Sequence, residues 1–334
     1  MKSIAIFNNK GGVGKTTFLS NLAAYLTLRL NKKVLVVDAD PQCNATMYCM
    51  QEDFIEKHYS LDKRETIETF FEPIRRAQGY LQTKFRPQKS PRFGFSLIPG
   101  DPKLALSEDI LASDWGDMLS GKPRGMQTSF VFKDMLLKFS NYDYIFFDVS
   151  PSLGAINRAV LIASDFFVMP MSSDIFSVMA VSNIAHALKE WKRDLRKGLD
   201  EYKEKNNEDY KMSPSGTIVD WNLKFAGYVT QQYTAKRVQG TRQPVRAYEN
   251  VITKAPSLIK TKLVEQFSGN IPGPFKLSDI PNLHSVVPLS QSSHSPIFAL
   301  KAADGVVGAH FAKVRDTERL YQQISGQLLA NIGA

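Results

Sequence analysis

The chain has 334 residues, 43% hydrophobic and 22% charged, a balance that excludes disorder as its main state and allows one large core or two smaller ones. No run approaches the roughly 20 consecutive apolar residues of a membrane-spanning helix, and no basic-then-apolar leader precedes the first motif, so a cytoplasmic protein is expected. Lys and Arg number 42 against 33 Asp and Glu, a formal charge of +9 that points to an acidic partner such as nucleic acid or an anionic membrane surface.

Ser3-Ile4-Ala5-Ile6-Phe7 reads as a buried strand. A glycine-rich turn follows at Lys10–Thr17, then a helical pattern with Leu19, Leu22, Leu26 and Leu30 on one face. A second apolar strand, Lys33-Val34-Leu35-Val36-Val37-Asp38, closes a βαβ unit, whose handedness implies a right-handed crossover and a parallel sheet. From Asp53 to Arg92 the chain is polar and basic, with Arg75, Arg76, Lys84, Arg86, Lys89 and Arg92 among three prolines. Apolar runs at Phe93–Ile98, Tyr144–Asp148, Phe166–Met171, Phe225–Thr230 and Ser285–Pro288 are expected to be further strands, with helical patterns between most of them. Lys189–Lys211 alternates Lys/Arg with Asp/Glu, the pattern of a solvated, ion-pair-laced helix. The expected fold is α/β: a doubly wound, mostly parallel twisted sheet with helices on both faces, one domain over 1–334 with insertions at about 53–92 and 189–220.

Glycines after a buried strand let successive backbone N–H groups converge on a phosphate, and the following helix adds the positive end of its dipole. Lys15 can then reach the β- and γ-phosphates, and Thr16 can offer a hydroxyl to Mg²⁺. The plain pattern GxxxxGK[ST] is not met, because Asn9 stands where its first glycine belongs. The chain carries K-G-G-x-G-K-T instead, with a second lysine, Lys10, inside the loop. Such a turn can serve the backbone alone, but Gly11, Gly12, Gly14, Lys15 and Thr16 between strand and helix favour nucleotide binding. Two strands end in carboxylates, at Asp38-Ala39-Asp40 and at Asp148, so three carboxylates face one loop, where they could hold a metal and orient water. For Asp40 the alternative is a cap on the next turn.

Lys10–Thr17, the run Asp38-Ala39-Asp40-Pro41-Gln42-Cys43-Asn44-Ala45-Thr46 and the run Asp148-Val149-Ser150-Pro151-Ser152-Leu153-Gly154 resemble, in order and spacing, the ParA/MinD family of deviant Walker A P-loop ATPases. Ile98–Asp101, Gly227–Gln231, Val287-Pro288 and Ser293–Pro296 are similar to segments of its ParA branch, so the likeness covers most of the chain outside the insertions. The resemblance implies a MgATP-binding ATPase. Lys10 would be the signature lysine, reaching across a nucleotide-sandwich dimer to the partner's phosphates. Gly11, Gly12, Val13, Gly14, Lys15, Thr16 and Thr17 would cradle the nucleotide. Thr16 would ligate Mg²⁺, Asp148 would hold it through a water, and Asp38 would assist. Asp40 would orient or deprotonate the attacking water. Pro151, Ser152 and Gly154 would form the second switch, with Ser150 in place of the more usual proline. Gln231 and Ser293 would lie near the base, the loop at Ser293 being shorter than the usual form.

ParA proteins dimerise on ATP and then bind DNA without regard to sequence until a cargo-bound partner triggers hydrolysis; MinD proteins do the same on membranes. The resemblance therefore implies a homodimer in the ATP state, non-specific double-stranded DNA and a ParB-like or cargo-adaptor protein as partners, and a nucleoid-associated place in the cytoplasm. A MinD-like membrane role needs a basic amphipathic tail. The C-terminal pattern Leu320, Ile324, Leu328, Ile332 has no Lys or Arg after Arg319 and reads as a core-facing stripe, so no membrane partner is expected. For DNA, Lys236, Arg237, Arg242, Arg246, Lys254, Lys260 and Lys262 face only Glu249 as an acidic neighbour. The basic residues of the first insertion are a second candidate surface. With nine residues ahead of Lys10, no operator-reading helix-turn-helix is expected there. Cys43 and Cys49 lack the spacing of a disulfide framework, a zinc site or a cluster site and read as free thiols. The alternative functions are a nucleotide-dependent switch that regulates a protein complex without DNA and a MinD-like membrane-positioning ATPase.

Overall fold

The computed structural model describes residues 1–213, 215–231, 254–283 and 285–333. Strand β1 (Lys2–Ile6) passes through the glycine turn into helix α1 (Lys15–Leu28) and returns as β2 (Val34–Ala39). The chain then forms α2 (Asn44–Cys49), α3 (Glu52–Tyr59), α4 (Glu72–Arg75), a short strand β3 (Gln88–Lys89) and β4 (Ser96–Ile98). Helices α5 (Ser107–Leu119), α6 (Pro123–Ser129) and α7 (Val131–Lys138) lead into β5 (Tyr144–Val149), α8 (Ala155–Ala163) and β6 (Phe166–Ser172). The long α9 (Ile175–Asn206) is followed by a small hairpin of β7 (Lys211–Met212) and β8 (Thr217–Ile218), then by β9 (Lys224–Gln231) and β10 (Lys276–Ile280). Helices Val287–Ser292 and His310–Asn331 complete the described elements that concern the site.

Eight strands form one sheet in the order β10-β9-β6-β1-β5-β2-β4-β3, parallel throughout except for the β3–β4 pair at the edge. Alternation with a period of two divides each central strand between two cores. Ile4 and Ile6, Val34 and Val36, and Tyr144 and Phe146 pack under α1 and the C-terminal helix; Ala5, Leu35 and Val37, and Ile145 and Phe147 pack under α5, α7, α8 and α9. This is the doubly wound α/β sheet expected from the βαβ start. The stripe of the C-terminal helix packs inward, with Ile324 and Leu328 fully buried. No helix among the described residues is long and apolar enough to cross a membrane.

Two readings from sequence need correction. Ser285–Pro288 is not a strand: Pro288 sits in the first turn of helix Val287–Ser292, where its missing N–H costs nothing, and the sheet takes β10 instead. Leu30 lies beyond the end of α1 and is exposed. Within the polar stretch 53–92, Ile67, Phe70, Phe71, Ile74, Tyr80, Leu81 and Phe85 enter the larger core.

Gly198 of α9 fits where a Cβ would stand 2.4 Å from the Met118 carbonyl oxygen of α5, so backbone meets backbone across that seam. Gly198→Ala is expected to destabilise the fold by about 1–3 kcal/mol through overpacking. Gly326→Ala, on the C-terminal helix with open space around it, is expected to stabilise by about 0.5–1 kcal/mol. Urea unfolding of both variants checks the opposite signs.

Candidate functional site

The turn after β1 runs through left-handed backbone at Gly12 (φ 72) and Gly14 (φ 67), conformations that glycine adopts without steric cost. Gly14 is the N-cap of α1, so the free N–H groups and positive dipole end of that helix are presented at the turn. Asn8 anchors the entry by donating from Nδ2 to the Pro170 carbonyl of β6 at 2.8 Å and accepting from the Lys10 N–H at 3.0 Å. The loop closes on itself where Lys15 Nζ donates to the Lys10 carbonyl at 3.3 Å. Lys15 is buried, and burial lowers its pKa against the opposing charges of Asp148 and Asp40. A cleft of 410 Å³ opens over residues 11–17 and is also lined by Asp40, Gln42, Asn44, Tyr48, Pro151 and Gln291.

The parallel register places Asp38 of β2 directly beside Asp148 of β5, both buried at the carboxyl ends of their strands. Asp148 accepts from the Thr16 hydroxyl at 2.7 Å through Oδ2, while its buried Oδ1 has no partner among the described residues. Burial, reinforced by the charge of Asp38, pushes its pKa up to about 8. Asp38 is raised to about 7 by burial, although the Thr46 N–H (2.7 Å) and hydroxyl (2.6 Å) donate to Oδ2. Its oxygens therefore brace the turn that carries Asp40. Asp40 lines the cleft and also accepts from the Gln42 N–H at 3.0 Å, so a turn cap and a cleft-facing carboxylate coincide in one residue. An unsatisfied carboxylate oxygen beside a hydroxyl, with a second carboxylate in register, is a donor set suited to a hard divalent cation.

Pro151 lines the cleft and lies 3.7 Å from where a Cβ on Gly11 would stand. The loop around it is tied down by Asn157 of α8, whose Nδ2 donates to the Ser150 and Ser152 carbonyls at 2.8 Å each. Gly154 caps α8, and Glu108 of α5 accepts from the Ala155 N–H and, at 3.0 Å, from the Ile156 N–H. Lys10 is held within its own chain, by the Asp174 carboxylate and by the Ser172 hydroxyl at 3.0 Å. Asp174 also caps α9, accepting from the Ser177 N–H at 3.1 Å.

Gln231 presses its side-chain amide against Gly14, and Ser293 donates to the Leu289 carbonyl at 2.7 Å; neither lines the cleft. Among the residues expected to meet DNA, Lys236, Arg237, Arg242 and Arg246 lie outside the described residues, whereas Lys254, Lys260 and Lys262 are exposed. In the first insertion, Arg75 pairs with Glu68, Arg76 with Glu72, and Arg92 with Asp304, which leaves Lys84, Arg86 and Lys89 exposed.

Sequence reasoning passes over Asn8, Glu108, Asn157, Asp174 and the cleft-lining Tyr48 and Gln291. Asp174 is open to detection as an acidic residue just ahead of a long amphipathic pattern. The others act through partners far away in sequence. Glu108→Ala removes the carboxylate that satisfies two N–H groups at the start of α8 and is expected to cost about 0.5–2 kcal/mol. Urea unfolding, together with faster amide exchange at Ala155 and Ile156, checks it.

A family model described as an AAA domain matches residues 1–201. The chromosome-partitioning ATPase Soj of Thermus thermophilus is 31% identical over 201 residues, which cover 60% of this chain and 66% of Soj. The chain spans 62% to 66% of the length of curated relatives of this kind. Among solved structures, protein DIP2308 of Corynebacterium diphtheriae superposes with a TM-score of 0.70 at 27% identity, over 88% of this chain and 97% of that one. A Cyanothece McdA variant in complex with ATP shares the fold, with a TM-score of 0.59 at 16% identity over 98% and 96% of the two chains. The phosphate loop, both carboxylate-bearing strands and the loop at Pro151 all fall inside the matched span, and the chain belongs to the ParA/MinD-type family of P-loop ATPases.

Proposed function

We propose that this chain is a partition or positioning ATPase that binds MgATP on residues 10–17, forms a sandwich homodimer and holds non-specific double-stranded DNA in that state. Hydrolysis is slow until a ParB-like or cargo-adaptor protein stimulates it, and the cargo is a plasmid, a chromosome region or a large protein assembly. The place of action is the nucleoid, and the chain is read as one ATPase domain with insertions at about 53–92 and 189–220. The observation that supports this most is the convergence on one cleft of a helix N-terminus, a buried lysine, the Asp40 carboxylate and Thr16, whose hydroxyl reaches the buried Asp148 with its unsatisfied oxygen.

In this reading the backbone N–H groups from Gly11 to Thr17 and the Lys15 ammonium hold the triphosphate. Thr16 Oγ1 and, through a water, Asp148 would hold Mg²⁺, which when bound neutralises phosphate charge and polarises the γ-phosphoryl group. The orphaned Oδ1 of Asp148 fits that assignment. Asp38 acts through Thr46 to fix the turn that presents Asp40, and Asp40 orients or deprotonates the attacking water. Lys10, released from Asp174, stabilises charge on the phosphates of the other subunit. Pro151, Ser152 and Gly154 respond to loss of the γ-phosphate, in a loop coupled to α8 by Asn157.

Lys15→Ala is expected to abolish ATP binding in a fluorescent-nucleotide titration. Asp40→Ala is expected to keep ATP bound and to slow turnover by about 10²-fold or more, the usual scale of a missing general base; wild-type turnover in that variant would end its catalytic assignment. The test of the whole reading is binding to random-sequence duplex DNA without nucleotide, with ADP, with ATP, and with ATP on Asp40→Ala, each at two salt concentrations. Binding is expected to require ATP, to persist in the variant and to weaken with salt. No binding in any state would leave the alternative of a switch acting on a protein complex.

A further inference from the structure

The outward face of α9 changes sign at Gly198. Between Lys189 and Lys197 the cations Lys189, Lys192, Arg193, Arg196 and Lys197 are accompanied only by Glu190 and Asp194. Spacings of three and four residues gather them away from Leu188, Trp191 and Leu195, which are buried in the larger core. Lys189, Arg193, Arg196 and Lys197 are exposed, and Lys192 is half-buried.

The two acids neutralise only Arg193 of this row. Glu190 faces His186 at 3.5 Å, one turn back. Asp194 is turned partly inward, with 22% of its side chain exposed; it binds Arg193 at 2.9 Å and adds its charge beside the half-buried Arg158. Lys189, Arg196 and Lys197 make no ion pair among the described residues. Burial and the charge of Arg196 push Lys192 below the ordinary lysine range, opposed by Asp220, so the cations crowd one another. Past Gly198 the helix turns acidic at Asp200, Glu201 and Glu204, and there the lysines are paired: Lys203 with Asp209 at 3.0 Å and Lys205 with Glu201 at 3.6 Å. The ion-pair-laced helix expected from sequence thus has its lysine pairs in the distal part and one pair, Arg193–Asp194, in the proximal part.

We propose that the α9 face from Lys189 to Lys197 docks the phosphate backbone of duplex DNA. This rests on the reading of the chain as a DNA-binding ATPase and adds a surface whose sequence pattern by itself reads as merely solvated. The row extends about 12 Å along the helix at about 1.5 Å per residue, while a duplex presents one charge per about 1.7 Å of its axis, so several phosphates fall within reach of these long side chains. Its outward positions from Ser182 to Lys197 carry no apolar side chain, and the exposed Ile175, Phe176 and Met179 lie farther back, at the start of the helix beside the phosphate loop. A membrane surface requires an apolar face to bury, and a stable protein partner requires an apolar centre to its interface; phosphates require charge alone. The helix is a firm support, clamped to α5 at Gly198, and the same helix starts at the Asp174 that holds Lys10, so one rigid element joins this face to the phosphate loop.

The test uses the full chain with MgATP and a random-sequence duplex followed by fluorescence anisotropy across a salt series. The fourfold variant Lys189→Gln, Arg193→Gln, Arg196→Gln, Lys197→Gln is compared with wild type and with the control Lys203→Gln, Lys205→Gln from the acidic half. The fourfold variant is expected to keep DNA-free ATP turnover, to bind at least about 10-fold more weakly, and to show a slope of log K against log salt shallower by up to about 3–4, since each phosphate that is no longer neutralised reduces it by about 0.9. The control is expected to match wild type. Wild-type DNA binding with an unchanged fourfold variant would overturn this surface alone; no DNA binding by wild type in any nucleotide state would overturn the parent reading with it. Weakened binding to phosphatidylglycerol vesicles with unchanged DNA binding would make the face a lipid surface and likewise overturn the proposal.

Discussion

Two carboxylates buried side by side are the constraint on which this molecule is organised. Asp38 and Asp148 are register partners on adjacent parallel strands, and the register leaves no freedom to separate them. Burying charge without compensation is costly, and the structure answers at each position: Thr46 donates twice to Asp38, while Thr16 donates to Asp148 and the Lys15 ammonium stands near. One oxygen of Asp148 is left over. The phosphate loop, the turn at Asp40 and the loop at Pro151 all converge on this pair because each follows the carboxyl end of a central strand, where open α/β sheets place their ligand crevice.

The elements behind the site transmit its geometry through rigid packing. Helix α5 touches the start of α8 through Glu108 and closes against α9 where Gly198 lets the backbones meet. Arg158 of α8 lies over the Trp115 ring of α5 at 4.0 Å and donates to the Leu111 carbonyl at 3.0 Å, so that seam is joined by both stacking and hydrogen bonding. Helix α9 has its N-cap, Asp174, in the same ion pair that restrains Lys10. A change at the phosphate loop therefore acts on packed helices, which have few alternative arrangements, and not on a compliant surface.

The net charge of +9 is distributed unevenly, and that distribution matters more than its sum. In the first insertion Arg75, Arg76 and Arg92 are consumed by Glu68, Glu72 and Asp304, and the bidentate Arg92–Asp304 pair, at 2.6 and 2.8 Å, ties the insertion to the chain after helix Val287–Ser292. Those cations are structural. The outward face of α9 from Lys189 to Lys197 is different, since its positive charge has little internal counterpart and remains available to an external polyanion.

Local chemistry was legible in the linear order of residues. Glycines at 12 and 14 need a left-handed backbone, the period of two in Ile4, Ala5 and Ile6 reports a two-sided sheet, and the stripe Ile324, Leu328 reports a covered helix, because each depends on neighbours a few residues away. The spacing of lysine, threonine and three aspartates disclosed the family for the same reason. What required the tertiary structure were partnerships across long separations. Lys10 meets Asp174 because β1 and β6 are neighbours in the sheet, and Glu108 meets α8 because α5 packs over it. The sheet takes Lys276–Ile280 in place of the more apolar run at Ser285–Pro288, since a strand needs a free edge to pair with and β9 offers one. The sequence by itself determined which groups can bind a nucleotide; the strand order decided which distant side chains hold those groups in place, because parallel register and helix packing are set by the whole sheet at once and not by any window of the chain.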